Sequence, residues 1–215
     1  MYRITDVTHN RGVFTVSVEP DGYLQVAEKT KYRVAKELFD AEALVSGALI
    51  GDAEFDALEE AAALTRAIAI SLDVISRSNV SRKALTDKLR LKYGITPDLA
   101  DKAAEYAAER RYIDEEAQAC EIARRAVSSK LWGKRRIIAD LSAKGYPPAC
   151  CRNAASTIPD EEYSRALALL VRKRGFSRLV PGTKQHASAV GSLMRFGYES
   201  SDIRRALGSD DEQDY

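Results

Sequence analysis

Three glycines constrain this chain more than any other feature. Gly94, Gly145 and Gly197 stand fifty-one and fifty-two positions apart, and each closes a short amphipathic stretch. The stretches read Leu85-x3-Leu89 to Lys92-Tyr93-Gly94-Ile95, Ile137-x3-Leu141-x2-Lys144-Gly145-Tyr146, and Val190-x2-Leu193 to Phe196-Gly197-Tyr198. A glycine suits the left-handed conformation that ends a helix, and the large apolar residue after it can fold back onto the last turn. Each glycine is followed by a restart: Thr96-Pro97-Asp98-Leu99, Pro147-Pro148, and Ser200-Ser201-Asp202-Ile203. Pro97 fits the first helical position with Thr96 as its cap, and the two serines offer the same capping chemistry. A third helix then follows on Leu99/Ala103/Tyr106, Cys151/Ala155 and Ile203/Leu207.

A longer helix precedes each second helix, and two of these open on the matching Asp114-Glu115-Glu116 and Asp160-Glu161-Glu162, where acidic side chains complement the helix dipole. The pattern predicts three tandem three-helix modules, at 62–112, 113–158 and 159–208, with residues 175–186 as an inserted loop in the third. A unit of about fifty residues buries little core alone, and stacking lets each module stabilise its neighbour.

The first thirty residues differ. Tyr2–Val7 and Val13–Val18 alternate apolar and polar side chains around Asn10-Arg11-Gly12, and Pro20-Asp21-Gly22 leads into Tyr23–Val26. Residues 1–30 therefore read as a small β-meander. From Thr30 the composition becomes helical, so 31–61 reads as a helical connection. The longest stripe, Phe55, Leu58, Ala62, Ile68, Leu72 and Ile75, predicts a helix capped by Asp52 and ending near Arg77. Residues 209–215, with four acidic side chains and no basic one, read as a disordered acidic tail. The expected fold class is mainly α: an elongated, curved array of three tandem three-helix repeats with a small N-terminal β-meander.

Chemistry-bearing residues are sparse. No apolar run approaches the roughly 20 residues of a membrane span, and the N-terminus lacks the pattern of a secretory or transit peptide, so a cytoplasmic location is expected. Cys120, Cys150 and Cys151 form no CxxC and read as buried hydrophobes. His9 and His186 have no partner at ligand or triad spacing, and neither GxxxxGK[ST] nor GxGxxG occurs. The paired acids sit at helix starts, where capping explains them. No catalytic residue, cofactor or metal site is expected, and the protein reads as a non-enzyme.

The charge carries more information. The 215 residues hold 33 basic and 32 acidic side chains, for a net charge of +1. Residues 1–63 hold 6 basic and 12 acidic side chains, 64–207 hold 27 and 16, and 208–215 hold none and 4. A strongly basic body thus lies between acidic ends, the footprint of a polyanion or acidic partner. Its clusters are Arg77, Arg82 and Lys83; Arg124 and Arg125; Lys134, Arg135 and Arg136, with Lys144; Arg172, Lys173, Arg174 and Arg178; and Arg204 and Arg205. Trp132 beside the third group reads either as an exposed stacking residue or as half-buried packing.

These residues, in this order, resemble the RecX family of bacterial recombination regulators. The resemblance covers about 62–208 and rests on Arg77-Ser-Asn-Val-Ser81-Arg-Lys-Ala-Leu85-x3-Leu89, Arg111-Tyr112-Ile113-Asp114-Glu115, Gly133-Lys-Arg-Arg-Ile137 through Tyr146, and Leu193-Met-Arg195-Phe196-Gly197-Tyr198 to Ile203-x3-Leu207. Ala84 stands where the family usually has Glu, and Ala117 where it often has an aromatic residue. The resemblance implies a monomer that binds RecA and its filament on single-stranded DNA, with direct DNA contact as a further option. It also implies a role in homologous recombination, DNA repair and the SOS response, limiting filament growth, ATP hydrolysis, strand exchange and coprotease activity. As the alternative, three-helix units with basic second or third helices also suit a helix-turn-helix-type DNA-binding protein acting without a recombinase.

Overall fold

The computed structural model describes residues 1–21, 29–39 and 45–208. Within them lie four strands and nine α-helices. The chain divides into two compact units, residues 1–78 with 85–112, and residues 79–84 with 113 onward.

The first unit opens with an antiparallel sheet in the order β3-β2-β1-β4: β1 Tyr2–Asn10, β2 Val13–Pro20, β3 Thr30–Ala35 and β4 Leu49–Ile50. Arg11 and Gly12, at φ 49° and 81°, form the two-residue turn that joins β1 to β2 with the twist that strands require. Ile4, Val16, Val18 and Val34 alternate onto one face and bury against Leu58 and Ala61 of α1, Asp52–Arg77. Tyr2 stacks on Phe55 at 3.7 Å, and Tyr32 meets the same ring edge-on.

Two expectations change here. The segment 31–61 is not a helical connection, because Thr30–Ala35 pairs with β2 and Leu49–Ile50 with β1. Tyr32 and Val34 supply the β-branched and aromatic character that the later alanines mask. Asp52 is the first helical residue rather than the cap; Gly51 precedes it, and the Glu54 carboxylate accepts from the Gly51 N–H. α1 runs through the boundary placed at 62 and ends at Arg77 as the stripe predicts. The predicted strand Tyr23–Val26 and the tail 209–215 lie outside the described residues.

α2, Arg82–Tyr93, from Leu85 onward, and α3, Pro97–Glu109, complete the first unit. α3 buries Ala100, Ala103, Ala104 and Ala107, and these small side chains leave Leu99 and Tyr106 half-buried.

The second unit holds α4 Glu115–Lys130, α5 Lys134–Ala143, α6 Pro148–Ser156, α7 Asp160–Lys173, a 3₁₀ turn Phe176–Arg178, α8 Lys184–Arg195 and α9 Ser200–Leu207. One core joins Ala123, Val127, Ile137, Leu141, Tyr146, Cys151, Tyr163, Leu167, Leu170, Leu193, Tyr198 and Ile203. Asp114 caps α4, accepting from the Ala117 N–H, whereas Asp160 is already the first residue of α7 behind Pro159. The two acidic openings thus differ in register by one position. The serines at 200 and 201 are helical and Glu199 holds the cap position. The inserted loop is shorter than expected, since residues 184–186 belong to α8 and Thr183 caps it by accepting from the His186 N–H. The inward pair of α8 is Ala189 and Leu193, with Val190 half-buried, which repeats the spacing of Leu85/Leu89 and Ile137/Leu141.

The three glycines behave as predicted, with φ of 65°, 82° and 94°. The N–H of the following apolar residue reaches back into the helix in each case, by six residues from Ile95 to Leu89 O and by five from Tyr146 to Leu141 O and from Tyr198 to Leu193 O. Tyr146 and Tyr198 are buried, and their hydroxyls donate to Gln118 Oε1 and to Leu131 O.

Candidate interaction surface

Two of the basic clusters fall on helix starts, which is energetically the wrong place for them, whereas Arg77, Arg172 and Lys173, and Arg204 and Arg205 lie in last turns, where the dipole favours them. A cation in a first helical turn opposes the dipole, by roughly 0.3–1 kcal/mol where exposed. α2 opens on Arg82-Lys83 and α5 on Lys134-Arg135-Arg136, and neither first turn holds an acidic residue. The second unit shows what offsets the cost. The start of α5 docks on the end of α8: the Gly133 N–H donates to Phe196 O at 2.8 Å and the Arg135 N–H to Gly197 O at 3.2 Å. Residues 79–84 dock likewise on the end of α5, where the Ser81 hydroxyl donates to Lys144 O at 2.7 Å. Glu115 Oε1 accepts from the Arg82 N–H. Both of these helix starts therefore meet the negative end of another helix, and the N–H groups of Arg82, Ala84, Gly133 and Arg135 have acceptors.

The side chains themselves remain at the surface. Lys134 is half-buried, and every other predicted basic residue is exposed. Several make surface ion pairs: Lys134 with Asp160 at 3.6 Å, Arg135 with Glu199 at 3.5 Å, Lys144 with Asp140 at 2.6 Å, Arg205 with Asp202 at 3.8 Å, and Arg125 with Glu121. Arg77, in the first unit, pairs with Asp73 at 2.7 Å. Exposed pairs of this kind contribute roughly 0–1 kcal/mol and yield to a competing anion. Lys83, Arg124, Arg172, Lys173, Arg178 and Arg204 have no ion-pair partner among the described residues.

Two aromatic rings gather some of these cations. Trp132, half-buried, lies 4.3 Å beneath Lys130 and 5.1 Å from the Arg136 guanidinium, which also donates to Arg195 O. Arg174 lies 5.4 Å from the Phe196 ring. Arg136 and Arg174 thus flank the Gly133–Gly197 joint by way of neighbouring rings. Lys130 is the cation that sequence reasoning passed over; its signal was the spacing Lys130-x-Trp132-x3-Arg136.

Burial, with Glu115 and Glu116 adding to it, pushes the Cys150 thiol up and keeps it protonated. Burial, reinforced by Asp160 and Glu162, pushes Tyr163 up to about 12, and its hydroxyl donates to Ala155 O. Burial likewise raises Tyr198 and Tyr146. Among the described residues no cluster of His, Cys, Asp and Glu is arranged to hold a metal ion, and no helix is long and apolar enough to cross a membrane.

No protein-family model and no curated protein matches the sequence. Solved structures do. A crystal structure of regulatory protein RecX is similar at a TM-score of 0.77 and 17% identity, over 98% of this chain and 100% of that one. The fold is that of RecX. RecX from Lactobacillus salivarius is similar at a TM-score of 0.61 and 20% identity, over 68% of this chain and 96% of that one. The first likeness includes the N-terminal sheet, so the β-rich start belongs to a RecX fold already seen rather than being an appendage to it.

Proposed function

We propose that the protein is a RecX-type regulator without enzymatic activity, which binds RecA and its filament on single-stranded DNA and mostly inhibits filament growth, ATPase, strand exchange and coprotease activity. It would act in the cytoplasm as a monomer, in homologous recombination, DNA repair and the SOS response. The observation that carries the reading is the RecX fold combined with clusters of basic side chains that stay at the surface. A surface this rich in exposed cations complements a polyanionic or acidic partner.

The contact set consists of Arg82, Lys83, Arg124, Arg125, Lys134, Arg135, Arg136, Lys144, Arg172, Lys173, Arg174, Arg178, Arg204 and Arg205, with Arg77 in the first unit. Single contacts of this kind are weak, and several made at once on neighbouring protomers add through effective concentration.

The test is RecA ATPase on single-stranded DNA with increasing amounts of the protein. Inhibition at equimolar or lower ratios is expected, and Lys134, Arg135 and Arg136 replaced together by Ala should weaken it by about tenfold or more, as loss of several charge-assisted contacts does. Unchanged ATPase and strand exchange at an excess of protein would overturn the proposal. Binding to bare duplex across a salt series separates the helix-turn-helix alternative, which requires sequence-specific retention in the absence of a recombinase.

A further inference from the structure

The first unit contains an unfilled groove unrelated to the cationic helix starts. It measures about 930 Å³ and runs between β3 and α1, with Ala62, Ala69 and Ile70 among its apolar lining. β3 is the outer strand of the sheet, so among the described residues no strand lies beside one edge of its backbone.

The register shows which groups that edge presents. In an antiparallel pair, alternate residues direct both N–H and C=O to the partner strand, and those between direct them away. Val34, Tyr32 and Thr30 face Phe14, Val16 and Val18 of β2, and the Lys36 N–H continues the same phase by donating to Gly12 O. The Ala35 N–H points the other way and donates to Thr65 Oγ1 of α1. Lys31 and Arg33 share the phase of Ala35, so their N–H and C=O groups open on the groove. Such an edge is a template for another strand.

The side chains on either face specify what that strand would carry. Val34 is fully buried and Tyr32 half-buried on the α1 side, whereas Lys31 and Arg33 are exposed on the opposite face. A strand beside β3 would turn alternate side chains toward the small apolar surface of α1 and the rest toward Lys31 and Arg33. Cross-strand neighbours of opposite charge are favourable there. The acids of the groove are already engaged, Glu59 by the Tyr32 hydroxyl and Asp73 by Arg77. Lys31, Arg33 and the groove-lining Arg66 have no ion-pair partner among the described residues.

We infer that this groove binds an extended segment of another protein, alternating acidic and small apolar residues, which adds to the free edge of β3 as a further strand. Its occupancy does not depend on the regulatory reading above.

The experiment uses the full chain and the fluorescein-labelled heptapeptide Ser-Glu-Val-Asp-Val-Glu-Ser, read by anisotropy. Saturable binding is expected, with at least tenfold weakening in a Lys31→Glu, Arg33→Glu double variant, whose changes lie on exposed positions of an edge strand. Two further peptides carry backbone N-methyl groups on alternate residues, in opposite phases. One phase blocks the edge hydrogen bonds and should lose binding at least tenfold; the other should bind like the parent. Equal binding by both phases, or displacement by a poly-dT oligonucleotide without phase dependence, would make the groove a patch of attraction for polyanions and overturn the inference. Absence of saturable binding at millimolar peptide would overturn it as well.

Discussion

Gly94 and Gly197 occupy equivalent places in the two units and have the same handedness of backbone, yet their surroundings differ. A Cβ on Gly94 would meet nothing within 4 Å, whereas one on Gly197 would lie 2.3 Å from Arg136 N and 2.5 Å from Arg136 Cβ. Gly94 is required only by its own φ. Gly197 is required by its φ and again by the start of α5 pressed against it. A local motif can thus repeat in sequence while the packing demand on it does not.

Gly133, on the other side of the same joint, separates the two demands. Its φ of −83° is open to any residue, but its Cβ would lie 2.5 Å from Gly197 C and O. Gly145 is intermediate, with φ +82° and a Cβ 3.0 Å from the Ser81 hydroxyl and 3.1 Å from Lys83 Cβ.

The comparison predicts an ordered series of losses. Gly197→Ala combines left-handed strain with a backbone collision and should cost about 4 kcal/mol, read as a lowered denaturant midpoint. Gly145→Val should cost about 3 kcal/mol, because a β-branched residue is poor in this conformation and the Ser81 side chain must move. An unchanged thermal midpoint there would show that the glycine is not a helix terminator. Gly133→Ala should cost about 2 kcal/mol from collision alone. Gly94→Ala should cost about 1 kcal/mol from backbone strain alone. If Gly94→Ala proved as damaging as Gly197→Ala, the distinction between the two regions would fail.

A smaller effect concerns pH. Tyr163 is held neutral by burial, with its pKa raised from 10.0 to about 12 in the fold. The raised value favours the protonated folded state, so its contribution is complete below pH 10 and is lost as pH rises from about 10 to about 12. Tyr163→Phe should be less stable than the parent at neutral pH, through loss of the hydrogen bond to Ala155 O, and the gap should narrow across that window. A gap that stayed constant from pH 9 to 12 would contradict this assignment.

The helical part of the fold was legible because its signals are local. The left-handed glycines, the prolines at helix starts and the end of α1 at Arg77 each depend on a few neighbouring residues. β3 was not legible, since Thr30–Ala35 is short and its identity as a strand comes from pairing with β2. The cap at Glu199 was hidden because the two serines beside it have the better capping chemistry and the chain does not use it. Periodicity points inward at Val190 in α8, where Ala189 is the buried residue, since periodicity favours the larger side chain and the available space the smaller. The division into two units, with residues 79–84 assigned to the second, is a property of packing that no spacing encodes. Of the surface, the sequence showed which cations exist. It did not show that Lys130 and Arg136 meet over Trp132, or that Lys31 and Arg33 flank an open sheet edge.

α5 is held at both ends, by Gly133 against Phe196 and Gly197, and by Lys144 and Gly145 against Ser81 and Lys83. Its ten residues therefore act as a strut of fixed length. One inserted residue would lengthen it by about 1.5 Å and turn one joint by about 100° relative to the other, so both could not close. α8 is fastened in this way only at its C-terminal end, and the stretch before Thr183 can absorb changes in length. Insertions and deletions in relatives of this chain should accumulate before α8 and be excluded from α5.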